Sequence, residues 1–367
     1  MRYRDLGLTV GRLPPGPLNA ITDVGEVRVG HITLIEGDGP LVVGTGPVRT
    51  GVTVIVPHPG IAAEPVFAGC HVLNGNGELT GLAWVRESGT LTTPAAITNT
   101  HSVGVVRDAL VAADVGAKPN TSYWSLPVVG ETWDGRLNDI NGFHVRADHV
   151  REALAEATGG PVGEGNVGGG TGMVCHGFKG GVGTASRVVE GGWTVGVLVQ
   201  ANYGVRERLT VDGVPVGSEI GRDLVLSPDD QGPTDDVGSI IVVLATDAPL
   251  LPHQCERLAQ RAGLGIARAG GSGAHSSGDL FLCFSTANAG RLRSYKDDMP
   301  EVTVDVTMLP DSAISPLFWG AIESTEEAIL NALVAAETMT GRDGITAHAL
   351  PHDRLLEAME RYGRGPA

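Results

Sequence analysis

The chain is poor in aromatic residues, which make up 4% of its 367 positions, and poor in positive charge. It carries 26 Lys and Arg against 42 Asp and Glu, a formal net charge of −16. That balance argues against a phosphate-backbone partner, so no nucleic acid is expected. It favours solubility and attracts cationic amines weakly. No run of about 18 apolar residues occurs, so no membrane-spanning helix is expected. Met1-Arg-Tyr-Arg-Asp-Leu6 lacks the apolar core of a secretion signal, and a cytoplasmic location is the expectation. Cysteines are few: Cys70, Cys175, Cys255 and Cys283, none in a CxxC pair. Structural zinc is therefore not supported, and free buried thiols are expected. The eleven histidines show no HExxH pattern. His58, His71, His101 and His275 read as hydrogen-bonded structural residues, so no metal and no cofactor is assigned.

Glycine is what the chain has in excess. At 54 of 367 residues it is roughly twice the usual ~7%. With 42% hydrophobic residues this implies tight turns and close backbone approaches, not disorder. The length suffices for a large core, in one domain or two. Alternation marks strands at 26–34 and 52–56, the latter stopped by Pro57 and Pro59. A further strand over 66–73 runs into Asn74-Gly-Asn-Gly77, a turn signal. Helices are expected over 103–112 and 148–157, the second with Asp148 as N-cap and Gly159-Gly160 as stop. Gly163 to Gly172 is glycine-rich but has no Gly-Lys-Ser/Thr end and is followed by a strand, so neither a phosphate loop nor a dinucleotide site fits. Glycines packed tightly near a site fit better. Trp193 to Gln200 is a strand ending at Asn202-Tyr-Gly204. Pro252 to Ala262 is a helix with Leu251, Cys255, Leu258 and Ala262 on one stripe. Leu280 to Thr286 is a strand, and Pro316 to Thr338 the longest helix. Strands, then helices, then strands suggest a layered α+β fold.

One stretch organises the rest. Gly238-Ser-Ile-Ile-Val-Val-Leu-Ala-Thr-Asp247 reads as a short buried strand. The segment before it, 227–237, is acidic and turn-rich and reads as an exposed loop. Ser239 thus stands where a loop meets a rigid strand, a place both accessible and fixed. The plainer reading is a strand that happens to begin with Ser.

The chain resembles peptidase family S58, the N-terminal-nucleophile aminopeptidases that include L-aminopeptidase/D-esterases and β-peptidyl aminopeptidases. The likeness runs from Arg4-Asp-Leu-Gly7 to about His348. It is carried by Gly16-Pro-Leu-Asn-Ala-Ile-Thr-Asp23, residues 29–33, Asn202-Tyr-Gly204, Gly238-Ser-Ile-Ile241 and Ser277-Gly-Asp279. It implies a four-layer αββα sandwich of N-terminal-nucleophile (DOM-type) architecture. It also implies a precursor that cuts itself between Gly238 and Ser239. The resulting chains, 1–238 and 239–367, would form one compact domain, and tetramers are implied.

A serine hydroxyl is a poor nucleophile until a base takes its proton. An N-terminal Ser carries its own base, an α-amine with a pKa near ~7.7–8.0. Gly238 tolerates a strained backbone at low steric cost. Asn202, at a strand end, has an amide NH2 suited to an oxyanion, or it caps a turn. The resemblance favours the first. Ser277 and Asp279 share a face by alternation and either form a turn or, as the resemblance implies, orient the amine of Ser239. The family acid there is often Glu; here it is Asp. Glu131 resembles the acid that pairs with the substrate's free amino group. Trp133 stands where some relatives carry Tyr; it lines the substrate pocket or packs in the core. Asp134, Asn138 and Asp139 read as turn residues. The implied function is a self-processing serine aminopeptidase for short peptides, amides or esters. An ornithine acetyltransferase-like acyl transfer enzyme is the alternative, though that group uses Thr as its new N-terminus. A binding protein that no longer cuts itself is the third reading.

Overall fold

Glycine turns and β-branched runs divide the chain into many short elements. The computed structural model describes residues 1–117, 124–231, 238–292 and 303–366. Strands in chain order are β1 (Arg28–Glu36), β2 (Val48–Val56), β3 (Val66–Gly75), β4 (Thr90–Leu91), β5 (Ala95–Asn99) and β6 (Val128–Thr132). They continue with β7 (Val174–Cys175), β8 (Phe178–Lys179), β9 (Gly181–Val188), β10 (Thr194–Asn202), β11 (Gly238–Thr246) and β12 (Ser277–Ser285). The helices are α1 (Leu82–Ser88), α2 (Val103–Ala117), α3 (Ala147–Glu156), α4 (Val216–Glu219), α5 (Pro252–Arg268), α6 (Ser315–Ala335) and α7 (His352–Arg361).

Two large sheets form, in the orders β1-β2-β5-β6 and β4-β3-β12-β11-β10-β9, beside two two-stranded ribbons, β7-β8 and one that pairs 339–340 with 346–347. The facing sides of the large sheets bury Ile55, Ile97 and Val128 against Leu198, Ile241, Val243 and Leu282. The outer side of the first sheet is covered by α2 and α3 through Val106, Leu110, Val150 and Ala153. That of the second is covered by α5 and α6 through Leu258, Ala262, Leu330 and Leu333. The layers are therefore α, β, β, α, as expected. Strands covered on both faces read as continuous apolar runs, and every residue of β2, β10 and β12 is buried.

Strand alternation decides which layer each side chain enters. On β11, Ile241 and Val243 point between the sheets, while Ile240 and Val242 point to the helices. Ser239 shares the inter-sheet face with Ile241. On β10, Leu198 points between the sheets, so Asn202 does as well. On β12, Phe281 and Cys283 point to the helices, and Ser277 and Asp279 share that side.

Several boundaries differ from the sequence expectation. Helix α3 starts one residue earlier, with Arg146 as its N-cap and Asp148 inside the first turn. Helix α5 runs on through Gly263 and Gly265 to Arg268. A Cβ on Gly265 would lie 2.6 Å from Thr325 Cβ and 2.7 Å from the Ile322 carbonyl, so this glycine serves the contact with α6. Helix α6 stops at Ala335, not Thr338. Residues 228–231 form a 3-10 turn whose Pro228, like Ser227, is buried, so the segment is not wholly an exposed loop. Positions 232–237 of that loop lie outside the described residues. The four cysteines are buried free thiols.

Candidate active site

Strand register gathers the serine's neighbours. Asn202 pairs with Ser239 across the antiparallel β10–β11 ladder. Gly238 pairs with Ser277, and Ser239 with Gly278, across the parallel β11–β12 ladder. Three strands from distant parts of the chain thus end in one row. Ser239 is buried, and its hydroxyl donates to the Gly238 carbonyl at 2.6 Å. The Gly278 N–H donates to Ser239 Oγ at 3.3 Å.

Asn202 is held at both ends of its amide. Its Oδ1 accepts from the Val174 N–H at 2.8 Å, and its Nδ2 donates to the Trp133 carbonyl at 2.8 Å. An amide nitrogen carries two protons, so one N–H is left over once the Trp133 carbonyl is bonded. Val174 belongs to the β7–β8 ribbon, which the buried Lys179 steadies. Its Nζ donates to the carbonyls of Gly170, Met173 and Gly180 at 3.3, 3.0 and 2.8 Å. Burial brings the Lys179 pKa down to about 7. The glycine-rich segment 163–172 leads into this ribbon and packs between the sheets, as its composition suggested. A Cβ on Gly172 would lie 2.9 Å from Asp134 Cβ, and one on Gly170 would lie 2.7 Å from the Gly181 carbonyl carbon.

On the helix side of β12, Ser277 Oγ donates to Asp279 Oδ1 at 2.6 Å. Burial pushes the Asp279 carboxyl above its ordinary value, opposed by the Ser277 hydroxyl. Its Oδ2 has no hydrogen-bond partner among the described residues. The pair faces away from the Ser239 hydroxyl, alongside the backbone at Gly238.

Glu131 lies on β6, in the other sheet. It accepts from the Glu78 N–H at 3.0 Å and from the Thr100 hydroxyl. Burial raises its pKa, opposed by those two bonds. The carboxylate sits against Gly77, where a Cβ would be 3.0 Å from Oε1 and 3.3 Å from Gly278 Cα. Its Oε1 thus lies near Gly278, the partner of Ser239, though Glu131 is not among the residues bounding the cleft beside that serine. That cleft, about 370 Å³, is bounded by Gly238, Asn202, Ser277, Tyr203, Trp133 and Arg208 among others. Trp133 also borders a second hollow of about 270 Å³ beside His101 and Arg342. The Trp133 side chain is therefore pocket wall, while its carbonyl fixes Asn202. Asp134, Asn138 and Asp139 are turn residues as expected, but fully buried: the Asn138 N–H donates to the Asp134 carbonyl at 3.0 Å.

The structure places Ser239, Asn202, Ser277 and Asp279, all singled out from the sequence, on three neighbouring strand ends. Sequence reasoning missed Gly278, Tyr203, Arg208 and Lys179 as site residues. Gly278 could have been found from the Ser-Gly-Asp step, since the glycine there lies opposite the serine. Tyr203 stands in the Asn202-Tyr-Gly204 segment singled out from the sequence, whereas Arg208 and Lys179 carry no local signal.

A serine at the start of a central strand of an αββα sandwich, with an Asn amide on one neighbouring strand and a Gly N–H and a Ser–Asp pair on the other, defines a hydrolase of the N-terminal-nucleophile type. The chain belongs to peptidase family S58, whose model matches residues 19–347. It is 50% identical to the β-peptidyl aminopeptidase BapA of Sphingosinicella microcystinivorans, over 99% of this chain and 93% of that one. A β-aminopeptidase from Burkholderia sp. superposes with a TM-score of 0.92 at 55% identity, covering 99% of both chains. The L-aminopeptidase D-Ala-esterase/amidase of Ochrobactrum anthropi, described as a variant of the Ntn hydrolase fold, superposes with a TM-score of 0.91 at 47% identity. That match covers 100% of this chain and 99% of that one. The chain is accordingly a hydrolase, an aminopeptidase.

Proposed function

We propose that this aminopeptidase makes its own nucleophile by cutting the Gly238–Ser239 bond and then works through an acyl-enzyme on Ser239. The observation that carries the reading is the Ser239 hydroxyl lying 2.6 Å from the Gly238 carbonyl oxygen, with the Asn202 amide alongside. In the first reaction Ser239 Oγ attacks the Gly238 carbonyl carbon. The new C–O bond forms, the C–N bond breaks, and the nitrogen takes up the hydroxyl proton to become a free amine. Water cleaves the ester, leaving a Gly238 carboxylate and a Ser239 with free hydroxyl and free amine. In turnover that amine takes the hydroxyl proton as Oγ attacks the substrate carbonyl. The leaving amine departs protonated, and water releases the acyl group.

Asn202 Nδ2 and the Gly278 N–H are the donors for the oxyanion. Ser277 and Asp279 orient the Ser239 amine; their position beside the backbone at Gly238, on the face opposite the hydroxyl, supports this. Glu131 anchors the substrate ammonium. Its support is a buried carboxylate whose described hydrogen-bond donors are a neutral hydroxyl and a backbone N–H. Trp133 walls the pocket. Substrates are short peptides, amides or esters with a free N-terminal amine. The location is cytoplasmic, where four thiols stay reduced, and the assembly is a homo-tetramer. An intact-mass spectrum of purified protein tests the central claim. Wild type should give two chains, the smaller beginning Ser-Ile-Ile-Val-Val, and Ser239→Ala one uncut, inactive chain. Active wild type that stays a single chain would overturn the mechanism.

A further inference from the structure

The cleft beside Ser239 is basic at one end, although the chain as a whole carries a net charge of −16. Three arginines border it: Arg136, Arg208 and Arg222. Arg136 pairs with Asp229 at 2.7 Å, and Arg222 pairs with Glu207 at 3.2 Å and Asp230 at 3.1 Å. Arg208 is exposed and has no carboxylate partner among the described residues. Its backbone is nonetheless fixed. The neighbouring Arg206 is fully buried and donates to the carbonyls of His176, Gly177, Ile220 and Val225. The Arg206 guanidinium lies 3.4 Å from the Phe178 ring centroid. The Arg208 carbonyl packs directly on Gly270, where no side chain would fit. An unpaired guanidinium therefore stands on a rigid turn, six positions after Asn202 and on the same cleft.

Two carboxylates lie on the Ser239 side, outside the residues that bound the cleft. Asp279 is bonded only to Ser277, and Glu131 to a hydroxyl and an N–H; neither has a Lys or Arg partner among the described residues. The charge runs from negative behind Ser239 to positive at Arg208. A zwitterion matches that axis, and a short unblocked peptide is one. The volume of about 370 Å³ is near the lower end for a ligand of drug size, ~300 Å³, which suits two or three residues. We propose that Arg208 binds the C-terminal carboxylate of such peptides and makes the enzyme prefer peptide acids to the matching amides. Guanidinium and carboxylate can meet through two parallel hydrogen bonds, which gives direction as well as charge.

The inference rests on the aminopeptidase reading of Ser239. The test uses the mature enzyme, one dipeptide as its free acid, and the same dipeptide as its C-terminal amide. Arg208→Met should lower the acid-to-amide ratio of kcat/KM about tenfold, with the loss in KM for the acid. Arg208→Glu should lower it further. Raised salt should narrow the wild-type ratio, because the contact is charge–charge. An unchanged ratio, or equal loss on both substrates, would overturn the role of Arg208 while leaving Ser239 chemistry standing. A wild-type enzyme that cleaves neither substrate would remove both readings.

Discussion

At the scale of single residues the site depends on how Asn202 is held. Its oxygen is fixed by the Val174 N–H and one of its amide protons by the Trp133 carbonyl. Rotating the amide would set carbonyl against carbonyl at Trp133 and N–H against N–H at Val174. The free N–H therefore has one direction, set before any substrate arrives, and the proposed oxyanion role requires such a preset donor. Asn202→Ala should lower kcat by roughly 10²–10³-fold, with a smaller change in KM. Steady-state kinetics on any cleavable substrate reads this, and a kcat within a few-fold of the parent would remove Asn202 from the site. The strand-end asparagine was legible because a polar residue closing an apolar run is a local pattern. Arg208 was not: its meaning comes from which other arginines are already paired, and those partners are far apart in sequence or on other elements.

At the scale of elements, the β7–β8 ribbon and its lysine show what patterns cannot supply. Lys179 lies two residues before the start of β9, in a glycine-rich sequence, and nothing local marks it as buried. The fold closes over it because the carbonyls of Gly170 and Met173 before it and of Gly180 after it converge on its ammonium. Lys179→Met would leave those acceptors dry and unpaired, and should cost about 3 kcal/mol or more of stability. Denaturant unfolding measures it. The pH dependence gives a second mark. With a folded pKa of about 7 against an ordinary 10.5, the unfolded chain binds more protons between those values. Wild-type stability should therefore rise from pH 7 towards pH 9, and be lost as pH falls through that window. Above it the Cys175 thiol, pushed up to about 12 by burial, pulls the other way. Lys179→Met should lack the rise. The strands themselves were legible, since apolar alternation and turn residues are local signals. The continuation of α5 through two glycines was obscured because the packing reason, contact with α6, lies some sixty residues further on.

At the scale of the whole molecule, the order of strands decides what the proposed cut can release. The chains would be 238 and 129 residues, about 25 and 13 kDa by proportion of length. In the larger sheet the smaller chain supplies β11 and β12, which lie in the middle, with β3 and β4 on one side and β9 and β10 on the other. Removing it would break ladders on both sides and open the core between the sheets. A buried charge network adds to this. Glu327 on α6 accepts from Arg187 at 2.6 Å, from Arg4 at 2.7 Å and from Asn19 at 2.6 Å. Burial alone would raise the Glu327 pKa, but Arg4 and Arg187 outweigh it and hold the carboxyl below its ordinary 4.5. A depressed acid contributes stability that is present above the ordinary value and lost as pH falls through the folded one. After the proposed cut Arg4, Asn19 and Arg187 would belong to the larger chain and Glu327 to the smaller, so protonation would weaken the join between them. The cut protein should elute from a sizing column at pH 7 with both chains in one peak. It should lose that association only as pH drops below the carboxylate range. Free 13 kDa chain at neutral pH would show that the central strands do not hold the halves together.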